Sequence, residues 1–294
     1  MESSLARRRT RLAWLLMAPA LVCSAFVALY PLARTFYLSF TSARFGDPNP
    51  PKLVGGRNYA ALVGDAFFRD AVTLTVGFTA VTVLAELVLG LLVALVVNQR
   101  FRGRGGVRAA MLVPWAIPTV ISAQMWKWMF NDVYGVFNDL LVHRLHLLPR
   151  NVAFTAEAST SFWAAAIVDI WKTTPFMALL LLAGLQLIPG DLYESARVDG
   201  ATRWQQFVKI TLPLLRPAML VALIFRTLDA LRVFDVFYVL FGDRPDTMTM
   251  ATYAQQTLVS VSDVGYGSAI SIAIFLVIGI FVALYIIVFR PEEA

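Results

Sequence analysis

Six stretches of this chain are each apolar for about the 20 residues that a helix needs to cross roughly 30 Å of hydrocarbon. They are Leu12–Ala33, Ala71–Val97, Val107–Phe130, Phe162–Ile188, Ala218–Phe241 and Ser268–Phe289. In lipid every backbone N–H and C=O needs a partner inside the protein, so only helices and closed barrels can span it. The runs lack the sustained period-two alternation of barrel strands. The sequence therefore predicts an all-α membrane protein of six transmembrane helices. With 59% hydrophobic and 15% charged residues, the composition is that of a bilayer protein rather than a soluble domain. Arg7, Arg8, Arg9 and Arg11 ahead of the first run resemble the start of a secretory signal. The apolar run continues to about Tyr30, which is too long for one, and an uncleaved span is expected.

Positive charge sets the expected topology. Arg7, Arg8, Arg9 and Arg11, then Arg100, Arg102, Arg104 and Arg108, then Arg197, Arg203, Lys209 and Arg216, and finally Arg290 fall on one side. The opposite side holds fewer, namely Arg34, Arg44, Lys52, Arg57, Arg69, Arg144, Arg150 and Arg244. By the positive-inside rule both termini are cytoplasmic. The net charge of +6 thus reads as membrane orientation, and no nucleic-acid partner is expected. The expected organisation is a cytoplasmic segment 1–11, a transmembrane domain 12–290 and a cytoplasmic tail 291–294. The single cysteine, Cys23, excludes an intrachain disulfide and suggests no metal framework. His143 and His146 are three apart in the outer segment Asn131–Ser161, but no neighbouring Cys or acidic cluster completes a metal site. No metal is expected.

Between the fourth and fifth runs lies a polar interruption, Asp191–Pro213. Asp191 with Glu194, and Thr202 with Gln205, have the spacing of capping boxes at two helix starts. Gly200 punctuates them, and Trp204, Phe207, Val208 and Leu212 share one helical face before Pro213, which is expected to halt the second helix. This is a helical hairpin with an apolar face and no core of its own. Such a face can rest on lipid, cap its own bundle or fill a partner's groove. No G-x-x-x-x-G-K-[ST] phosphate cradle occurs in the chain, and no Ser-His-Asp or Cys-His set is suggested. The chain is expected not to be an enzyme.

Ionisable residues at membrane depth are costly and tend to face a bundle interior or an aqueous path. Asp169 and Lys172 are spaced to pair with each other, and Arg226, Asp229, Arg232 and Asp235 form an alternating ladder at steps of three. Mutual neutralisation is the simplest reading of both. Glu86 and Lys127 are expected to be packing or lipid-interface residues. Pro114, Pro118 and Pro175 interrupt or kink helices and free carbonyls that can line a cavity.

The hairpin residues Glu194, Ser195, Ala196, Asp199, Gly200, Ala201 and Phe207, with Ile210–Pro213, closely resemble the cytoplasmic EAA loop of ABC-importer permeases, which docks on ATPase subunits. Ser195 departs from the alanine usual there. Three further stretches, Leu112–Thr119, Trp171–Phe176 and Phe234–Tyr238, resemble the maltose-type carbohydrate importers. That resemblance implies sugar contacts at Trp115, Thr119, Trp171, Lys172, Thr173 and Phe176, and near Asp229, Ala230 and Val233. Aromatic faces with polar hydrogen-bonding groups suit a sugar, although helix packing alone also explains Trp and Phe at these positions. The resemblance further implies a second permease subunit, an ATPase homodimer carrying ATP and magnesium, and an extracytoplasmic sugar-binding protein. This chain would itself hold no cofactor. The expected setting is a bacterial cytoplasmic membrane, in contact with lipid.

The reading is thus a permease subunit of an ATP-driven importer for a disaccharide or oligosaccharide such as maltose or trehalose. Glycerol phosphate or another solute is the alternative cargo. An ion-coupled secondary transporter using Glu86, Asp169 and Asp229 is the alternative class, against which the hairpin stands. A DNA-binding helix-turn-helix is excluded by spans close on both sides and a weakly basic face.

Overall fold

The computed structural model describes residues 4–99 and 101–288 of the chain. Arg100, Arg290 and the tail 291–294 lie outside them. The described residues are helical, joined by loops that carry two isolated β-bridges, Thr41 with Leu53 and Arg44 with Asp263. The helices are α1 (Ser4–Leu38), α2 (Arg57–Gly64), α3 (Ala66–Asn98), α4 (Arg104–Met111), α5 (Val113–Ala116), α6 (Thr119–Met129), α7 (Val136–Asn138), α8 (Ala158–Gln186), α9 (Gly190–Val198), α10 (Arg203–Gln206), α11 (Leu212–Ala230), α12 (Asp235–Phe241), α13 (Met250–Gln255) and α14 (Val264–Val288). Five stretches, including Arg9–Leu38 and Arg203–Phe241, are long and apolar enough to span, and a sixth is a bent pair, Arg104–Ala116 with Thr119–Met129.

The chain divides into two compact units, residues 1–65 with 254–273, and residues 66–253 with 274–294. In the first, the loop after α1 is tied together by Asn58, whose Nδ2 donates to the carbonyls of Ser39 at 2.9 Å and Thr41 at 3.0 Å. Tyr266 Oη donates to Asp65 at 2.6 Å. A Cβ on Gly265 would lie 2.1 Å from the Thr41 carbonyl oxygen, so only glycine lets α14 start there.

In the second unit α3 packs along α8, and α11 lies against both. Lipid supplies no hydrophobic drive between helices, so close approach through small residues has to hold them. Gly90 of α3 faces Met177 and Ala178 of α8, and Gly184 of α8 faces Leu215 and Ala218 of α11. A Cβ on Gly184 would stand 2.4 Å from Ala218 Cβ and 2.8 Å from Leu215 Cδ1. Gly184→Leu is therefore expected to lower stability by about 1–3 kcal/mol through overpacking, read as a lower thermal midpoint in detergent. Gly77→Ala, with nothing within 4 Å, serves as the neutral control. Three apolar clusters are found there among the described residues, the smallest being Ala71, Leu231 and Met250. Ala94, Met177, Leu181, Leu185, Leu215 and Ala222 belong to the second, and Phe78, Trp126, Phe130, Ala165, Val168 and Phe237 to the third.

Two expected spans are not single rods. The third bends by 86° between α5 and α6, because Pro118 has no N–H to continue the helix and Ile117 before it is extended, at φ −71° and ψ 133°. The fifth ends its first helix at Ala230 and restarts at Asp235.

Candidate functional site

One turn of α8 joins three neighbours at once, midway along that helix. Asp169 accepts from Arg226 Nη2 of α11, Thr173 donates to Glu86 of α3 at 2.5 Å, and Lys172 Nζ donates to the carbonyls of Ile117 at 2.6 Å and Trp115 at 3.2 Å. Although positions i, i+3 and i+4 are close on a helix surface, these side chains find their partners on different helices, and the Asp169–Lys172 pair suggested by the spacing is not formed. Arg226 is the hub. Its Nε and Nη2 both donate to Glu86, Nη2 also reaches Asp169, and Nη1 donates to Asp229 at 2.8 Å. Arg226 and Glu86 are fully buried, between the two larger apolar clusters, whereas the Asp229 side chain is 69% exposed. The planar, five-donor guanidinium suits several carboxylates at once, as an ammonium would not.

Three expectations are thereby corrected. Glu86 is not a packing or lipid-interface residue, because it bonds the one cation that reaches it from α11. Asp169 pairs with Arg226 rather than with Lys172. Of the four-rung ladder the first step, Arg226 to Asp229 at 2.8 Å, is formed, but the ladder stops there, since α11 ends at Ala230 and Arg226 also turns inward to Glu86. Lys127 donates to the carbonyl of Val239 at 2.8 Å.

Beside the cluster opens a cavity of about 140 Å³, lined by Thr119, Asp169, Lys172, Thr173, Arg226, Asp229, Ala230, Arg232, Val233, Phe234, Asp235 and Val236. Residues 232–234, in the break between α11 and α12, are among those that line it. Thr119, Lys172, Thr173, Asp229, Ala230 and Val233 of the expected sugar contacts share this cavity. Trp115, Trp171 and Phe176 do not line it. Trp171 packs edge-on against Trp126, with ring centroids 5.5 Å apart, within the aromatic cluster. Trp115 stacks on Phe176 at 5.6 Å and 11°, and remains 47% exposed. Arg232 and Asp235, expected only as charges that face a bundle interior or an aqueous path, line this cavity, and so do Phe234 and Val236, which were not among the expected contacts. The signal for it was the charged interruption inside an otherwise apolar fifth run.

The second feature is the hairpin. α9 runs into Gly200, at φ +77°, and the Thr202–Gln205 capping box is formed, with Thr202 N–H donating to Gln205 Oε1 at 2.8 Å and Gln205 N–H to Thr202 Oγ1 at 3.3 Å. The Asp191–Glu194 box is not formed, because α9 begins at Gly190 after Pro189 and so carries Asp191 inside the helix. Glu194 instead lies 3.8 Å from Arg197. Pro213 does not halt the second helix. Between α10 and α11 the chain makes one wide π-helical turn, Phe207–Thr211, which absorbs the N–H that Pro213 lacks, and the helix runs on. Trp204 and Val208 stay exposed, and Tyr193 Oη lies 2.9 Å from Thr211 Oγ1 across the hairpin. Ala196, Asp199, Gly200, Ala201, Gln205, Gln206, Lys209 and Ile210 bound a surface groove of about 380 Å³. Of the expected docking residues, Glu194, Ser195 and Phe207 fall outside this groove. Among the described residues no group of His, Cys, Asp or Glu is placed to hold a metal ion.

Residues 86–290 match the family described as "binding-protein-dependent transport system inner membrane component". The chain is 43% identical, over 99% of its length and 97% of the relative's, to the trehalose/maltose transport system permease protein MalF of Thermococcus litoralis. It is 40% identical, over 96% and 91%, to the sulfoquinovosyl glycerol transport system permease protein SmoG of Agrobacterium fabrum. It is 39% identical, over 95% and 89%, to the trehalose transport system permease protein SugA of Mycobacterium tuberculosis. Among solved structures, a chain of a bacterial ABC transporter involved in import of the acidic polysaccharide alginate superposes with a TM-score of 0.83, at 23% identity and 98% coverage of both chains.

Proposed function

The chain belongs to the family of inner-membrane components of binding-protein-dependent transport systems, and from that premise we propose that it is the permease subunit of an importer for a neutral disaccharide such as trehalose or maltose. The observation that carries this reading is its end-to-end likeness to relatives named for those two sugars. The cavity supports it. Asp169, Asp229 and Asp235 there balance Lys172, Arg226 and Arg232 in formal charge. Arg226 is engaged there by three carboxylates and Lys172 by two carbonyls, while Arg232 donates to the carbonyl of Leu228, so Arg232 is the cation left for an anionic cargo such as glycerol phosphate. Sugar hydroxyls would meet Thr119, Asp229 and the backbone around Ala230 and Val233. Trp115 would offer its exposed side to the C–H patches of a ring, Lys172 and Thr173 would complete the cavity wall, and Phe176 would support Trp115 from behind. Trp171 would stiffen the aromatic wall.

At about 140 Å³ the cavity is smaller than the roughly 300–1,000 Å³ of ordinary ligand pockets. A second, related permease would complete it. An extracytoplasmic binding protein would deliver the sugar, and a pair of ATPases bearing ATP and magnesium would dock on the hairpin. Both termini and the hairpin would face the cytoplasm.

Reconstitution with those partners in proteoliposomes tests the reading. ATP-dependent uptake of labelled trehalose or maltose is expected, with no ATP turnover by the chain alone. Uptake of glycerol 3-phosphate in place of either sugar would overturn the cargo. Uptake driven by a proton gradient without ATP would overturn the class and favour the ion-coupled carrier.

A further inference from the structure

The third span is broken where the cavity begins, and a broken helix leaves its last carbonyls without intrahelical donors. At this break the carbonyl oxygens of Trp115 and Ile117 both accept from the Lys172 ammonium, at 3.2 and 2.6 Å. Lys172 is 7% exposed, and the ion pairs among the described residues do not include it. A buried ammonium without a carboxylate partner is costly unless its hydrogen bonds are made. Two carbonyls at the negative end of a helical segment supply them. One turn further along α8, Phe176 lies flat against the indole of the same Trp115, at 5.6 Å and 11°. The backbone and the ring of Trp115 are thus both held from α8, four residues apart, while the residue remains 47% exposed.

We propose that Lys172 is a positioning residue that caps the broken third span and so fixes the orientation of Trp115, rather than a group that binds cargo itself. Lys172 is immobilised for this task by its place on the turn of α8 that also carries Asp169 and Thr173, which are bonded to Arg226 and Glu86. Removing the ammonium leaves two part-buried carbonyls without this donor and frees the α5–α6 corner to reorient. The indole then leaves Phe176. The consequence for transport rests on the sugar reading above, whereas the orientation of Trp115 does not.

The test uses the assembled transporter labelled with 5-fluorotryptophan, the Trp115 resonance being identified by its loss in Trp115→Phe. In Lys172→Met that resonance is expected to shift and broaden, and Lys172→Arg, which keeps donors of sufficient reach, is expected to restore it. Lys172→Gln, whose amide is too short to reach both carbonyls, provides a second disruptive variant if Lys172→Met inserts poorly. An unchanged Trp115 resonance in the disruptive variants overturns the inference. Uptake of labelled trehalose and maltose gives an independent readout. Lys172→Met and Trp115→Ala should each raise the half-saturating sugar concentration by about tenfold, and the double variant by no more than either alone, as for residues acting through one another. Multiplicative effects would mean that Lys172 touches the sugar directly, and would also overturn the inference. If the parent transporter carries neither sugar, the cargo reading fails while the fluorine resonance still decides the role of Lys172.

Discussion

Arg226→Met is expected to destabilise the inserted protein by about 3–5 kcal/mol, because it strips the cation from buried carboxylates while leaving them buried. Glu86 is fully buried and Asp169 nearly so, and Arg226 is the side chain that binds both. The measurement is the yield of membrane-inserted protein and its thermal midpoint in detergent, where a loss of this size is a large fraction of a total stability of about 5–15 kcal/mol. Arg226→Lys should recover only part of the loss, since an ammonium cannot reproduce the forked contacts with Glu86, Asp169 and Asp229. Neutralising the acids with Glu86→Gln and Asp169→Asn in the Arg226→Met background should recover more. Replacing a whole buried ionic group is far less harmful than removing one partner. Parent-like stability of Arg226→Met alone would show that the cluster does not hold α3, α8 and α11 together.

The second large effect is expected at the hairpin, and it should be functional rather than structural. Gly200 turns the chain at φ +77°, where a side chain is strained by about 1–2 kcal/mol, yet a Cβ there has open space on every side. Glu194 is exposed, and its contact with Arg197 at 3.8 Å is worth no more than about 1 kcal/mol. Neither Gly200→Asp nor Glu194→Lys can unfold a protein whose packing lies elsewhere. Both change a surface with exposed Val198, Trp204 and Val208 around the groove. We expect each variant to insert normally but to lose ATPase co-purification and to fall to background uptake. Normal association and transport in both variants would return the hairpin to the role of an amphipathic element lying on lipid.

What could be read from the chain without coordinates divides along physical lines. The turn at Gly200 and the Thr202–Gln205 cap are legible because the chemistry is local, with donor and acceptor three residues apart. The Asp191–Glu194 pattern has the same spacing and fails, because Pro189 starts the helix earlier than the pattern implies. Pro114 and Pro118 marked an interruption in the third run, but nothing local shows that Lys172 from α8 donates to the carbonyls at the 86° bend. The charge cluster was the least legible feature. Glu86 and Arg226 are 140 positions apart, and each on its own apolar run offers only a cost, with no indication of what relieves it. Pro213 misled because a lost i→i−4 bond normally ends a helix, and one wide turn upstream removes that conflict.

That wide turn has a mechanical corollary. Arg203 to Ala230 forms one uninterrupted helical run, which at 1.5 Å per residue is a beam of about 40 Å. One end carries the hairpin groove, and the other carries Arg226, Asp229 and Ala230 at the cavity wall. A tilt of about 5° pivoting at one end sweeps the other through roughly 3.5 Å, comparable to the small element shifts by which switching proteins change state. A hinge at Pro213 would have dissipated that torque as bending. With the π-helical turn in its place the helical path between hairpin and cavity wall is unbroken, so a displacement of the hairpin is expected to reach the Arg226 contacts at its far end.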